Sequence, residues 1–251
     1  MRILPASENR FQGIHIHPQT LPAGAADFSA RLSLSLDHWR EQGMRAVWLE
    51  LPAELAHLIP LALQQEFEYH HCRGDRVTMT RRLVTDTPLP PFATHTIGVG
   101  GLVISAEGEI LTIVERSDLE TRPDNFKFPG GMLEPGEHIE SGVVREVWEE
   151  TGVETAFEGL LSFRHHHDGQ FGTSNIYAVC KLRPVSRAIA IDEVEIGLAR
   201  WMPLQEFMER PGVGLYNKHI ISRALQNDFM QPHRIEGYRA NADDYEIYTC
   251  S

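Results

Sequence analysis

The stretch "GGMLEPGEHIESGVVREVWEETGV", residues 130–153, sets two glycines and a Pro-Gly turn in front of a helix crowded with carboxylates. Glu146, Glu149 and Glu150 project within roughly a third of the helix circumference at about 100° per residue, so their carboxylates can converge. Like charges at this spacing repel and weaken an isolated helix. Two readings account for them. A solvated acidic face is the usual meaning of a charge run. The other is a site for a hard divalent cation, which takes oxygen ligands and recruits substrate phosphates as further ligands.

The rest of the chain narrows the setting. It has 251 residues, 42% of them apolar, which is ample for a buried core. A formal net charge of −12 and a pI near 5.5 argue against nucleic acid as a partner, because neutralising a phosphate backbone needs a basic surface. No apolar run reaches the roughly 18 to 20 residues of a membrane span, and "MRILPASENRFQG" lacks the apolar core of a secretory signal. The expectation is a cytoplasmic protein. Cys72, Cys180 and Cys250 are far apart with no CxxC pair, as expected of free thiols.

"TDTPLPPFATH", residues 85–95, holds three prolines in four positions and disfavours helix and central strand alike. The domain expectation is therefore 1–90, 91–210, and a C-terminal helix and tail, 211–251. In the first segment "GIHIHP" and "MRAVWLELP" read as strands, residues 27–42 as a helix, and "ELAHLIPLALQQEFEYHH" has apolar residues at helical spacing despite Pro60. In the second, "THTIGVGGLVIS", "EILTIVERS", "FKFPGG", "LLSFRHHH", "SNIYAVCKLRP" and "EIGLARWMP" read as strands, while "LQEFMER" and "NKHIISRALQNDF" read as helices. "RIEGYRANADDYEIYTCS" reads as a partly mobile tail. The class is α/β (α+β) with a mixed sheet.

Gly131, five residues, Glu137, seven residues, then Arg145-Glu146-Val147-Trp148-Glu149-Glu150-Thr151-Gly152-Val153 meets every fixed position of the Nudix box. The chain thus resembles the Nudix hydrolases, which cleave a nucleoside diphosphate linked to another moiety. The resemblance implies a Nudix α/β/α sandwich and Mg²⁺, with Mn²⁺ as an alternative, held by Glu146, Glu149, Glu150 and the Gly131 carbonyl. It makes Glu137, Arg145 and Gly152 structural: Arg145 pairs with Glu137 and ties loop to helix, and Gly152 lets the chain leave the helix. Val147 and Val153 anchor the helix on the sheet, and Trp148 reads as core or domain contact rather than substrate platform.

A carboxylate outside the box often serves this family as base or extra ligand. "IDEVEIGLARWMP" offers Glu195 first and Glu193 second, against the alternative of surface charges flanking a strand; with Glu149 these are the catalytic candidates. On the substrate side, "SFRHHHDGQFGTSNIY" offers Arg164 for a phosphate, Phe171 for stacking on a base, and Asn175. His165, His166 and His167 cannot all face one way on a strand and read as exposed polar residues. Phe126 and Phe128 read as core. Lys218 and His219 reach a substrate only if the tail folds over the site.

"RAVWLELP", "LIPLALQQEFEYHH", "FATHTIGVGGLV", "FKFPGG", "FRHHH" and "RWMPLQEF" are similar to the two-domain Nudix group that includes plant ADP-ribose and NADH diphosphatases and the animal antisense fibroblast growth factor protein. That likeness implies a small acetyltransferase-like α/β domain before the Nudix domain, with Trp48, Glu50 and the His70-His71 pair in matching segments, and a homodimer. The QxxGxG-type loop with which acetyltransferases hold a coenzyme pyrophosphate is missing, so a structural or dimerising role is expected of residues 1–90, with a residual small-molecule pocket as the alternative. The proline that many ADP-ribose-specific members carry some fifteen residues after the box is absent, where His166, His167, Asp168 and Gly169 stand. ADP-ribose and NADH, with release of AMP, rest on whole-chain resemblance. The rival expectation is a Nudix-fold sensor that binds ADP-ribose-type nucleotides without turnover.

Overall fold

The structure, a computed structural model, describes residues 2–9, 12–167, 169, 172–226, 229–236, 241, 243 and 245–250. It divides into two compact units, 1–93 and 94–251.

The first unit is built on one sheet of five strands in the order β1-β2-β3-β5-β4. They are β1 (Ala6–Glu8), β2 (Gly13–Ile16), β3 (Ala46–Pro52), β4 (Glu68–Arg73) and β5 (Arg76–Arg82), with β2 and β3 parallel and the other pairs antiparallel. Side chains alternate across a strand, so Ile14, Ile16, Val47 and Leu49 all point to one face. There they pack on Phe28, Leu32 and Leu36 of α1 (Ala25–Glu41). The stretch expected to be one long helix divides in three. Ala53–Leu58 is a 3-10 turn, Pro60 sits in the first turn of α2 (Ile59–Gln64), and Glu68–Arg73 is strand. Glu66 adopts a positive φ of 62° that no helix tolerates, and α2 ends before it. Strand β5 was not expected from the sequence, although Val77 and Met79 alternate with threonines and pack on the core.

The second unit joins β6 (His95–Val103), β9 (Ser174–Pro184) and β8 (Thr155–His166) in one sheet, parallel between β6 and β9 and antiparallel between β8 and β9. A second pair joins β7 (Glu109–Glu115) and β10 (Ile196–Pro203). Alternation sends Ala178 and Cys180 to the side of α3 (Ile139–Thr151), where they meet Val143 and Val147. Val179 goes to the other side, with Phe207 of α4 (Leu204–Glu209) and Ile220 and Ile221 of α5 (Leu215–Ala224). Helices on both faces of a mixed sheet give the expected α/β/α sandwich. "FKFPGG" forms only a single bridge, Ile113 to Lys127, rather than a strand. Pro129 and the positive φ of Gly130 turn the chain away. Phe126 and Phe128 are buried in the core as expected, Phe128 stacked on Phe207. Trp148, in contrast, is 56% exposed and is not a core residue: it stands between Val147, which faces the sheet, and Glu149, which faces solvent.

Two short strands, β11 (Gln231–Pro232) and β12 (Tyr248–Thr249), pair antiparallel. Met230 exchanges both backbone hydrogen bonds with Leu160 of β8. Cys72, Cys180 and Cys250 are free thiols, and among the described residues no helix is long and apolar enough to cross a membrane.

α3 approaches β6 closely at Gly101, where a Cβ would lie 2.6 Å from the Val147 side chain. Gly101→Ala should therefore overpack this contact and lower unfolding stability by about 1 to 3 kcal/mol in a denaturant titration.

Candidate active site

The site begins with the loop before α3. Residues 134–137 close a turn with the Glu137 N–H donating to the Glu134 carbonyl at 3.1 Å, and Gly136 supplies φ +83°. Arg145 holds the turn in a two-pronged grip: Nε donates to Glu137 Oε1 and Nη2 to Glu137 Oε2, both at 2.8 Å. Its Nη2 also reaches the Met132 carbonyl at 3.2 Å. These bonds hold the Glu137 carboxyl below its ordinary range, the Arg145 contacts contributing most. At its far end α3 stops at Gly152, in the left-handed conformation with φ +70° and its N–H on the Trp148 carbonyl.

The N-terminus of α3 is capped from far along the chain. His138 provides no side-chain cap. Instead Glu246 accepts the Ile139 N–H at 2.8 Å and lies 3.6 Å from His138, while Tyr248 donates to its other oxygen at 2.8 Å. A carboxylate here satisfies free N–H groups and complements the helix dipole. The partners are 107 positions apart in the chain, and no local sequence signal could have found the cap.

The three clustered glutamates have different surroundings. Glu150 is 7% exposed and accepts the Gly130 N–H at 2.7 Å. Burial pushes its carboxyl up to about 7, with Glu146 and Glu195 adding to the rise and the Gly130 bond and Lys127 opposing it. Glu146 is also pushed up by burial. It lies so close to Gly131 that a Cβ there would fall 2.5 Å from its Oε2. Glu149 is exposed, and Arg145 Nη1 donates to both Glu149 (2.8 Å) and Glu146 (3.0 Å). Arg145 thus serves as counter-charge as well as clamp. Among the described residues no three acidic, histidine or cysteine side chains enclose a point where an ion would sit. The Gly131 carbonyl, expected to be free, accepts the Val99 N–H at 2.8 Å and keeps one lone pair.

Glu193 and Glu195 are exposed on the turn before β10. Their backbone carbonyls take the Arg116 guanidinium and the Arg116 N–H respectively. The Glu195 charge raises the Glu150 carboxyl.

On β8, Arg164 is the register partner of Tyr177. Its guanidinium lies over Tyr177 (5.1 Å) and over Tyr216 of α5 (5.5 Å), and its buried Nε has no hydrogen-bond partner among the described residues. Tyr177 lies over β6 where Gly98 and Gly100 leave room; a Cβ at Gly98 would be 2.8 Å from its ring. Burial raises the Tyr177 phenol, with Glu150 raising it further and Arg164 opposing. Asn175 donates to Thr96 Oγ1 at 3.0 Å and ties two strands together. Phe171 lies outside the described residues. His165 bonds His95 through Nε2 at 3.0 Å and packs beside His167. Lys218 is held on the Arg210 carbonyl at 2.7 Å, and His219 is exposed.

Tyr177, Tyr216 and Lys127 carried no motif. Lys127 could have been found: it alternates with two core phenylalanines and must face the opposite way. It pairs with Glu115 at the end of β7.

Residues 94–223 match the NUDIX domain, and residues 4–83 match a Nudix hydrolase domain. The chain is 37% identical over 215 residues to Nudix hydrolase 2 of Arabidopsis thaliana, covering 85% of this chain and 77% of that protein. It belongs to the Nudix hydrolase family. Nudix hydrolase 8 of the same plant is 40% identical over 242 residues, 93% of this chain, which spans 66% of that protein's length. Nucleoside diphosphate-linked moiety X motif 6 of Mus musculus is 38% identical over 205 residues, 78% of this chain and 64% of that protein.

Nudix hydrolases act on phosphorus anhydrides and generally use divalent ions such as Mg²⁺. The residues here fit such an ion: every donor is oxygen, a Cβ at position 131 would fill the space beside Glu146, and Glu150 is a buried carboxyl whose ionised form a nearby cation would favour.

Two outcomes follow. Since the folded Glu150 holds its proton more tightly than its ordinary 4.5, the stability it contributes is present at acid pH and lost as pH rises through about 7. Denaturant titrations in chelator should show unfolding free energy falling by on the order of 3 kcal/mol between these values. Glu150→Gln should flatten that slope, and an unchanged slope would contradict the assignment. Glu246→Ala should cost about 1 kcal/mol in the same assay by removing the cap.

Proposed function

We propose that residues 94–251 hydrolyse the diphosphate of a nucleoside diphosphate linked to another moiety, with ADP-ribose and NADH as the first substrates and AMP as a product. The observation that carries this reading is Glu150: a buried carboxyl, raised toward neutrality, on a Gly130 N–H beside the complete box. The name of the mouse relative, nucleoside diphosphate-linked moiety X motif 6, supports the substrate class.

In this reading Glu146, Glu149, Glu150 and the remaining lone pair of the Gly131 carbonyl hold Mg²⁺, or Mn²⁺ in its place. A bound divalent ion stabilises charge on the phosphate oxygens and lowers the pKa of its water. Glu195 accepts the proton of the attacking water, and its charge, which raises the Glu150 carboxyl, supports it over Glu193. Arg164, whose guanidinium lies over Tyr177 and over Tyr216, offers it to a phosphate. Asn175 keeps its carbonyl oxygen for the substrate, and Phe171 is the proposed stacking residue. Arg145 and Glu137 keep loop and helix together throughout. The proposed assembly is a homodimer.

A sensor that binds ADP-ribose-type nucleotides without turnover is the second reading. The ion pairs that Arg145 makes to Glu146 and Glu149 favour it.

Incubation with ADP-ribose, NADH and other nucleoside diphosphate derivatives in Mg²⁺ should release AMP. Glu195→Gln should lower kcat by about 10² to 10⁴. Ligand-dependent thermal stabilisation with no AMP from any substrate would decide for the sensor.

A further inference from the structure

The sheet of the first unit has α1 on one face. On the other face, β2 and β3 place His15 and Trp48 side by side as register partners. Their rings stack with centroids 5.0 Å apart and 13° between planes. A Cβ at Gly13 would collide with the Trp48 ring, so the glycine makes room for the indole. Asn9 fixes the imidazole: its Oδ1 accepts the Gly13 N–H at 3.0 Å and its Nδ2 faces His15 Nε2 at 3.1 Å. With Asn9 donating there, neutral His15 carries its proton on Nδ1. Desolvation lowers the His15 pKa, which favours this uncharged ring.

This platform is the floor of a groove of about 1090 Å³, walled by Pro88, Leu89 and Pro90 and bordered by Arg45. Such a volume admits a nucleotide-sized molecule. Arg45 is half-buried, yet its guanidinium makes no ion pair or hydrogen bond among the described residues. The neighbouring arginines of the sheet are occupied: Arg76 by Glu50, Arg81 by Glu66 and Arg82 by Glu68. A flat aromatic floor beside one uncommitted guanidinium complements a flat aromatic ligand with one anionic end.

We propose that residues 1–93 carry a second ligand site, in which a heteroaromatic ring stacks on the His15–Trp48 pair and a phosphate attached to it is held by Arg45. A nucleoside monophosphate is the ligand class. No residue of the Nudix box takes part, and the proposal stands whether or not the second unit hydrolyses anything.

The test is calorimetric titration of the full chain with AMP in EDTA, with adenosine and inorganic phosphate as partial probes. AMP should bind. Arg45→Ala should weaken it by about tenfold or more, the worth of a charge-assisted bond, and Arg45→Lys should restore part of the loss. Adenosine should bind more weakly than AMP, and phosphate alone more weakly still. Arg164→Ala should leave the affinity unchanged, and Arg45→Ala should leave both the melting temperature and any AMP-releasing activity unchanged. AMP binding that is lost in Arg164→Ala, or that survives Arg45→Ala at full strength, would overturn the proposal. So would no binding by the wild type at millimolar AMP.

Discussion

The burial of one carboxyl group orders the second unit. Glu150 sits at the C-terminal end of α3, nearly out of solvent, with a single backbone N–H as its close partner. For that N–H to reach it, the loop must pass directly over the sheet, and Gly130 alone permits this: its φ is +153°, and a Cβ would collide with the Val99 carbonyl. Gly131 continues the constraint against Glu146. The rest of the unit holds this juxtaposition. Arg145 grips Glu137 at the outer end of the loop, Gly101 lets α3 settle on β6, and Glu246 secures the helix start. A carboxyl kept ionisable at neutral pH and close to a glycine elbow is suited to bind a cation rather than to stabilise the fold.

The same group explains why the helix tolerates its charges. Arg145 offsets Glu146 and Glu149 through one nitrogen while its other two hold Glu137. Glu150 escapes repulsion by remaining partly protonated. A helix read from sequence as three converging acids is, in three dimensions, an arginine-centred network with one buried acid beside it. A divalent ion at this place would compete with Arg145 for Glu146 and Glu149.

Much of this was legible because the signals were local. The glycine pair, the Pro-Gly turn, α3 and its Gly152 exit follow from spacing and backbone preference, and β6, β7 and β9 from apolar runs bounded by turn residues. What was not legible depends on distant partners. Arg164 could be named, but its position across from Tyr177 is a matter of register, and its second tyrosine arrives on α5. Glu246 reaches α3 across 107 residues. "FKFPGG" alternated like a strand and was diverted by proline and glycine, and "EFEYHH" continued a helical pattern through Glu66, whose left-handed backbone ends it. Trp148 was read as core or domain contact, although the two valines four residues apart already fill the helix face that meets the sheet.

The central claim is that the α3 acids and the glycine elbow form one cation site, and diffraction from Mn²⁺-soaked crystals at the manganese edge tests it most directly. The account predicts an anomalous peak bounded by the carboxylates of Glu146 and Glu150 and the Gly131 carbonyl, with Arg145 still on Glu137. Crystals saturated with Mn²⁺ in which Glu146 remains on Arg145, Glu150 remains only on the Gly130 N–H, and no peak lies between them would contradict it.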